Sequence, residues 1–407
     1  MTKRLPLEGI RVVDFSWALA GPVTTKFMAL YGAEVVKIET RTRLDGARLA
    51  NPFFEGKPGV NRSAYFANNN SNKLSLRLDL SKPEARDIAR RLVAVADVVA
   101  ESFSMGVLNR WGLDYPELAK TRPDIIMISL TMQGQTGRYA PHLGFGRTLS
   151  GLVGIDHLTG FPNSNPSGPN QPYTDLVVPW FAVSSLITAL ERRNATGQGT
   201  YIDLSQLEAA MHFLAPAVLD FEVNHHDQVR QGNRVSYAAP HGVYRCKGDI
   251  PQGRWCAIAV ETDAQWKALC GAMGMPRLAE DARFSTLLAR KRHEDELDRT
   301  IEVWTSGQEA KDAAALLKKA GVPAAEVATG KVLFEDEHLK ACGFFRKFEH
   351  PTIGQHWYNS PSFHFSDLQL DHRRGPTLGE HDEYIFCEVL GMDKSESKRL
   401  RETGTAA

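Results

Sequence analysis

Short hydrophobic runs alternate with helical patterns along the first half of the chain. Ile10 to Phe15 reads as an apolar strand, and Ser16 to Pro22 as the loop after it. The helix that follows has Pro22 in its opening turn, runs to about Leu30, and ends before Gly32. Glu34 to Glu39 is a second strand. Further on, residues 83–96 and 115–120 read as helices, and residues 97–100 and 125–130 as strands. Strands separated by helices predict a parallel sheet with helices on both faces.

Between 138 and 172 the pattern gives way to Gly, Pro, Asn and Ser, the composition of a loop that could carry a site. Residues 177–192 then form a helix with Pro179 in its first turn. It is apolar on nearly every side, which predicts that it is buried. Residues 200–204 read as a strand and 205–222 as another long helix. From about 230 the pattern changes to a hairpin (Tyr237 to Lys247, Trp255 to Val260), helices at 263–273, 292–307 and 309–320, and a strand at 322–327. The tail holds short strands and a helix at 380–391. The expected division is a large α/β domain begun by 1–205, a linker helix at 206–229, a smaller α+β domain at 230–330, and a return at 331–407 that completes the large domain.

Charge narrows the field of functions. Lys plus Arg and Asp plus Glu are equal at 48 each, with no long run of one sign, which argues against general nucleic-acid binding. The N-terminal residues lack the apolar core of a signal peptide, and no apolar run reaches the roughly 20 residues that span a bilayer, so a cytoplasmic protein without membrane partners is expected. Five cysteines, Cys246, Cys256, Cys270, Cys342 and Cys387, show no metal-ligand or disulfide spacing. The cluster His225, His226 and Asp227 has no further ligands at suitable spacing and reads as a polar loop, so no metal is expected.

The first strand–loop–helix–strand unit, with Glu39 closing its second strand, has the outline of a dinucleotide site. Its turn has one glycine, Gly21, where close approach of a pyrophosphate needs three, and Trp17 and Leu19 would block that approach. NAD is therefore not expected. Asp175 stands at the mouth of the long apolar helix, after Pro172, Tyr173 and Thr174. An aspartate there is ordinarily a cap for orphan amide hydrogens.

A set of motifs changes that reading. Val12-Val13-Asp14-Phe15 is followed by Ala20-Gly21-Pro22, then Gly32 to Glu39, Asn72-Lys73, Ala96 to Phe103, Gly106 to Leu113, Ser150-Gly151, the Asp175 segment, Thr196 to Gly199, and Leu378 to His381. Together and in this order they resemble the class III CoA-transferases of the CaiB/BaiF type, over essentially the whole chain. The resemblance implies a Rossmann-like large domain, an interlocked dimer or a heteromer with a homologous subunit, and acyl-CoA and a carboxylic acid as substrates. It also implies Asp175 as nucleophile, with coenzyme A met by Trp17, Arg41, Lys73, Ser102, Phe103 and Arg110. His142, Phe145, Gly146 and Tyr173 are the expected acceptor contacts. The segments around His142 to Gly146 and Gln171 to Asp175 look closest to the branch that uses succinyl-CoA and aryl-substituted succinates such as benzylsuccinate. Two other readings stand beside it. One is an α-methylacyl-CoA racemase pairing His142 with Asp175 as acid and base. The other is a CoA-binding subunit without turnover.

Overall fold

A computed structural model describes residues 4–248 and 254–407. Six strands form one parallel sheet: β1 (Arg11–Asp14), β2 (Glu34–Glu39), β3 (Leu74–Arg77), β4 (Val98–Glu101), β5 (Ile126–Thr131) and β6 (Thr200–Ser205). Their spatial order is β3-β2-β1-β4-β5-β6, with every pairing parallel. The order reverses between β1 and β4, so the chain leaves these two strands toward opposite sides and opens a crevice beyond their carboxyl ends. Val12, Val13, Val36, Val98, Val99 and Ile128 are fully buried, as expected of strands covered on both faces.

Two compact units emerge. The larger comprises Met1–Ile155, Pro169–His226 and His338–Ala407; the smaller comprises Asp156–Gly168 and Asp227–Glu337. The loop 156–168, expected in the large domain, groups with the smaller unit instead. Its Gly160 carbonyl accepts a hydrogen bond from the Gly232 amide, a non-local contact that composition does not announce. The smaller unit has the antiparallel sheet β7 (His241–Arg245), β8 (Trp255–Ala259) and β9 (Ala324–Glu326). Helices Asp263–Ala272, Glu294–Thr305 and Ala310–Lys319 share its core through Trp266, Leu269, Ile301 and Leu317.

The return segment completes the large unit. Strands β10 (Phe345–His350) and β11 (Gly354–Asn359) form an antiparallel hairpin. Ile385 and Phe386 then join the core on one face of the six-stranded sheet. The predicted tail helix is a π-helical turn, Tyr384–Val389, followed by a separate helix, Lys394–Glu402. Asp382 accepts from the backbone amide of Arg77 at 2.8 Å and pairs with its guanidinium at 2.7 Å, tying the tail to β3.

The long helix is Tyr173–Thr196, and its expected burial is only partly met. Val178, Ala182, Leu186 and Leu190 are buried, and Ala182, Leu186 and Leu190 share a core with Met28, Ile126 and Ile128. Leu176, Trp180 and Ile187 are exposed. An all-round apolar pattern says what a helix could bury; here Trp180 meets the Phe27 ring edge to face at 5.5 Å and still stays half exposed. Among the described residues it is the one helix long and apolar enough, by length and composition, to cross a membrane.

Candidate active site

The crevice rests on a lattice of buried charges. Asp14, at the end of β1, accepts from Lys73 Nζ at 2.9 Å, Thr25 Oγ1 at 2.6 Å and the Ser16 amide at 2.9 Å. Burial pushes its carboxyl up, but Lys73, Lys37 and the Ser16 and Thr25 hydroxyls outweigh burial and hold it at about 2. Lys37 donates to the Ser16 carbonyl at 2.7 Å and pairs with Asp45 at 3.0 Å. Asp45 in turn accepts from the Ala18 amide at 2.9 Å. These bonds fix the loop after β1, including Ala18 in a left-handed conformation at φ 65°. Such a strained non-glycine residue persists only where its surroundings over-determine it.

That loop presents Trp17 to the residues that follow β4. The Trp17 amide donates to Ser102 Oγ at 3.0 Å, and the Trp17 and Phe103 rings meet edge to face at 5.4 Å. Phe103 packs on Trp111, and its amide donates to Glu101 at 2.7 Å. Burial pushes the Glu101 carboxyl up to about 7. Three of the expected CoA contacts, Trp17, Ser102 and Phe103, thus meet at the switch point of the sheet, where open α/β sheets bind ligands. Arg41 and Arg110 are exposed. Arg43, which sequence reasoning passed over, stacks its guanidinium 5.5 Å from the Trp17 ring centroid. Aromatic walls and arginines without carboxylate partners among the described residues suit an adenine, a pantetheine arm and phosphates.

Lys73 is held from within the fold. It is buried, and its ammonium is held by Asp14 and Asn70. The ion pair joins Lys73 to the end of β1, and Lys73 also lines a cavity with Asn72, Arg373, Arg374 and His381.

Asp175 lies in the first turn of Tyr173–Thr196, yet it caps nothing: the N-cap is Pro172, and no side chain closes that end. The carboxylate is turned instead toward the start of helix Gly146–Val153. A β-carbon on Gly146 would stand 2.3 Å from Asp175 Oδ2. Only a bare Cα admits the carboxylate at that position. Burial pushes the Asp175 carboxyl up to about 6, against a hydrogen bond from the Gln206 side chain that holds it down. Tyr65, on helix Ala64–Asn69, feels the charge: burial first, then Asp175 and Asp45, push its phenol up to about 12. Gln206 and Tyr65 were not singled out from sequence, since an amide and a phenol carry no motif.

The acceptor candidates are distributed unevenly. Gly146 touches Asp175. Tyr173 is half-buried and faces Phe213 at 6.4 Å. Phe145 precedes Gly146 and is 83% exposed. His142 is exposed, its ring against Tyr139 at 5.4 Å.

A parallel sheet of this order, a crevice suited to CoA and an uncapped, desolvated carboxylate describe an enzyme that acts on CoA thioesters. The chain belongs to CoA-transferase family III, whose family model matches residues 7–382. It is 31% identical to succinyl-CoA–D-citramalate CoA-transferase of Chloroflexus aurantiacus, over 97% of each chain. It is 30% identical to succinate–glutarate CoA-transferase of Agrobacterium fabrum, over 97% of this chain and 98% of that one. The crystal structure of a CaiB/BaiF family protein from Brucella suis superposes with a TM-score of 0.86 at 32% identity, covering 95% of this chain and all of that one. Among the described residues no group of three or more potential ligands could hold a metal ion.

Proposed function

We propose that the protein moves CoA from succinyl-CoA to a second carboxylic acid through covalent intermediates on Asp175. The observation that carries this reading is the Asp175 carboxylate itself: uncapped, partly desolvated and seated against Gly146. A desolvated carboxylate is a stronger nucleophile than a hydrated one. An Asp175 oxygen attacks the thioester carbonyl carbon; the C–S bond breaks and the thiolate leaves with its electron pair, giving a mixed anhydride. The thiolate attacks the aspartyl carbonyl, expelling succinate and leaving an aspartyl-CoA thioester. The acceptor carboxylate attacks that carbonyl and releases the thiolate, which then attacks the acceptor's acyl carbon. Asp175 is regenerated and the acceptor leaves as its CoA ester.

The acceptor we propose is a substituted succinate, with an aryl group as in benzylsuccinate. The exposed Phe145 ring beside Gly146, and Tyr173 two residues before the nucleophile, support an apolar substituent close to the reacting carbon. The exposed Leu176, Trp180 and Ile187, with Val218, Leu219, Phe221 and Val223 on helix Ala215–Asn224, support pairing with a second copy of the chain, since so much apolar surface on a soluble domain ordinarily marks an interface.

The test is incubation with succinyl-CoA and hydroxylamine, followed by peptide mass spectrometry. A hydroxamate on Asp175, missing from Asp175→Ala, is expected. Exchange of an α-hydrogen of a branched acyl-CoA without CoA transfer, dependent on His142, would instead establish the racemase reading.

A further inference from the structure

A cavity of about 380 Å³ lies in the larger unit at the amino end of β3, where Asn72 and Lys73 precede the strand and Leu74 opens it. The crevice lies at the opposite, carboxyl ends of β1 and β4. The return segment supplies the other walls, among them Phe348, His372 and Arg373. Asn72 fixes this segment. Held left-handed at φ 66°, it donates from its side chain to the Asp371 carbonyl and accepts from the Arg373 amide at 2.7 Å. Its own amide donates to the Arg374 carbonyl at 3.3 Å. The walls are therefore set before a ligand enters.

His372 is 6% exposed, and among the described residues neither of its ring nitrogens has a hydrogen-bond partner. Burial, with the Lys26 and Arg346 charges, lowers the imidazole to about 4, so near pH 7 the ring is neutral and carries one N–H. A buried donor without an acceptor is a cost that folded proteins mostly avoid. The Arg373 guanidinium beside it is exposed and held loosely, by Asp371 at 3.3 Å. Arg374, by contrast, is engaged by both carboxylate oxygens of Glu380. The Phe348 ring stands 5.0 Å from that of His372 and, with Leu74, makes an apolar wall.

We propose that this cavity is a second ligand site, outside the crevice, for a small carboxylic acid with an apolar body. The His372 N–H and the Arg373 guanidinium donate to its carboxylate, and Phe348 and Leu74 hold its carbon skeleton. Glu349 and Glu380 share the lining, and their charges disfavour a doubly charged phosphate there. The proposal does not depend on which residue is the nucleophile. CoA-transferases consume one free acid and release another, so a site of this class answers to the same pool of ligands as the crevice.

The experiment follows the His372 ring resonance by NMR in the full chain labelled at histidine, with the resonance identified by its absence from His372→Phe. Sodium phenylacetate is the probe, and CoA and inorganic phosphate are the comparison arms. A saturable shift with phenylacetate is expected, unchanged when CoA is present at saturation. In Arg373→Ala the dissociation constant should rise about tenfold or more, the loss of a charge-assisted hydrogen bond. Arg373 holds its segment through its backbone amide, so this variant should melt as wild type does. His372→Phe should melt no lower than wild type, because it replaces unpartnered polar atoms with a ring of similar shape; a marked drop would show that the fold already uses those nitrogens, and overturns the site. No shift with phenylacetate, or wild-type affinity in Arg373→Ala, overturns it too. Equal affinity for inorganic phosphate overturns the ligand class, and displacement of phenylacetate by CoA assigns the cavity to the nucleotide instead.

Discussion

Gly146 and Asp175 share one space: the carboxylate of the second occupies the position a side chain on the first would need, 2.3 Å from a virtual β-carbon. Gly146→Ala therefore displaces the proposed nucleophile without straining a left-handed backbone, since Gly146 is not among the positive-φ glycines. Because a misplacement of about 1 Å can cost 10²-fold in rate, CoA transfer is expected to fall by at least about 10²-fold. The melting temperature should stay within a few degrees of wild type. A fully active Gly146→Ala enzyme would show that Asp175 attacks from another position.

The elevated Asp175 carboxyl sets both rate and stability. Below about 6 it is protonated and loses nucleophilicity, so kcat/KM should fall about tenfold per pH unit on that side. A carboxyl whose pKa rises on folding stabilises the fold fully below its unfolded value, about 3.9, and this contribution is lost as pH rises through about 6. Asp175→Asn, which never ionises, should accordingly gain stability over wild type above about 6, on the order of 3 kcal/mol, and gain nothing near pH 4. Denaturant titrations at the two pH values read the difference.

Lys73 and Asp14 make the opposite case. Removing one member of a buried ion pair leaves the other charged and unpaired, so Lys73→Met should destabilise by about 3–5 kcal/mol. Asp14 is depressed to about 2, so its contribution is present above about 3.9 and disappears as pH falls through about 2. KM for succinyl-CoA in folded Lys73→Met then reads the expected CoA contact: a large rise places Lys73 at CoA, and an unchanged KM leaves it with the ion pair alone.

Trp17 is expected to behave differently. It lines the crevice half-buried, between Phe103 and Arg43. Trp17→Ala should raise KM for succinyl-CoA by about tenfold or more, the loss of one aromatic wall and its cation–π partner. The hydroxamate on Asp175 should still form at saturating thioester.

Trp180 is 48% exposed on a helix whose other side is core. Trp180→Glu puts a charge into the proposed apolar interface and should shift the mass measured by light scattering from two chains toward one. An unchanged mass would place the interface elsewhere.

Much of the large unit could be read from the chain because its information is local. β1 and β2 are bounded by the loop at Ser16 and by Gly32, and alternation with helices implies parallel pairing. The positions of Trp17, Ser102 and Phe103 followed from motifs at strand ends, and the sheet order brings them together. Three things were not legible. The role of Lys73 depends on Asp14, 59 residues away, and a lone lysine looks the same whether it meets a phosphate or a buried carboxylate. The membership of the loop 156–168 depends on a contact with Gly232. The meeting of Asp175 with Gly146 depends on how two helix starts pack together, which no local pattern fixes.

The Arg77–Asp382 pair carries a consequence for synthesis. Its partners are 305 positions apart. At about 5–20 residues per second, roughly 15–60 s pass on the ribosome between making one and making the other. During that wait β3 lacks its tail contacts, and the core face that Ile385 and Phe386 will cover is open to water. Most of the smaller unit, written without interruption over 227–337, can collapse in the interval. The nascent chain therefore carries an unfinished sheet past a neighbour that is already largely made, a window in which a chaperone has something to hold.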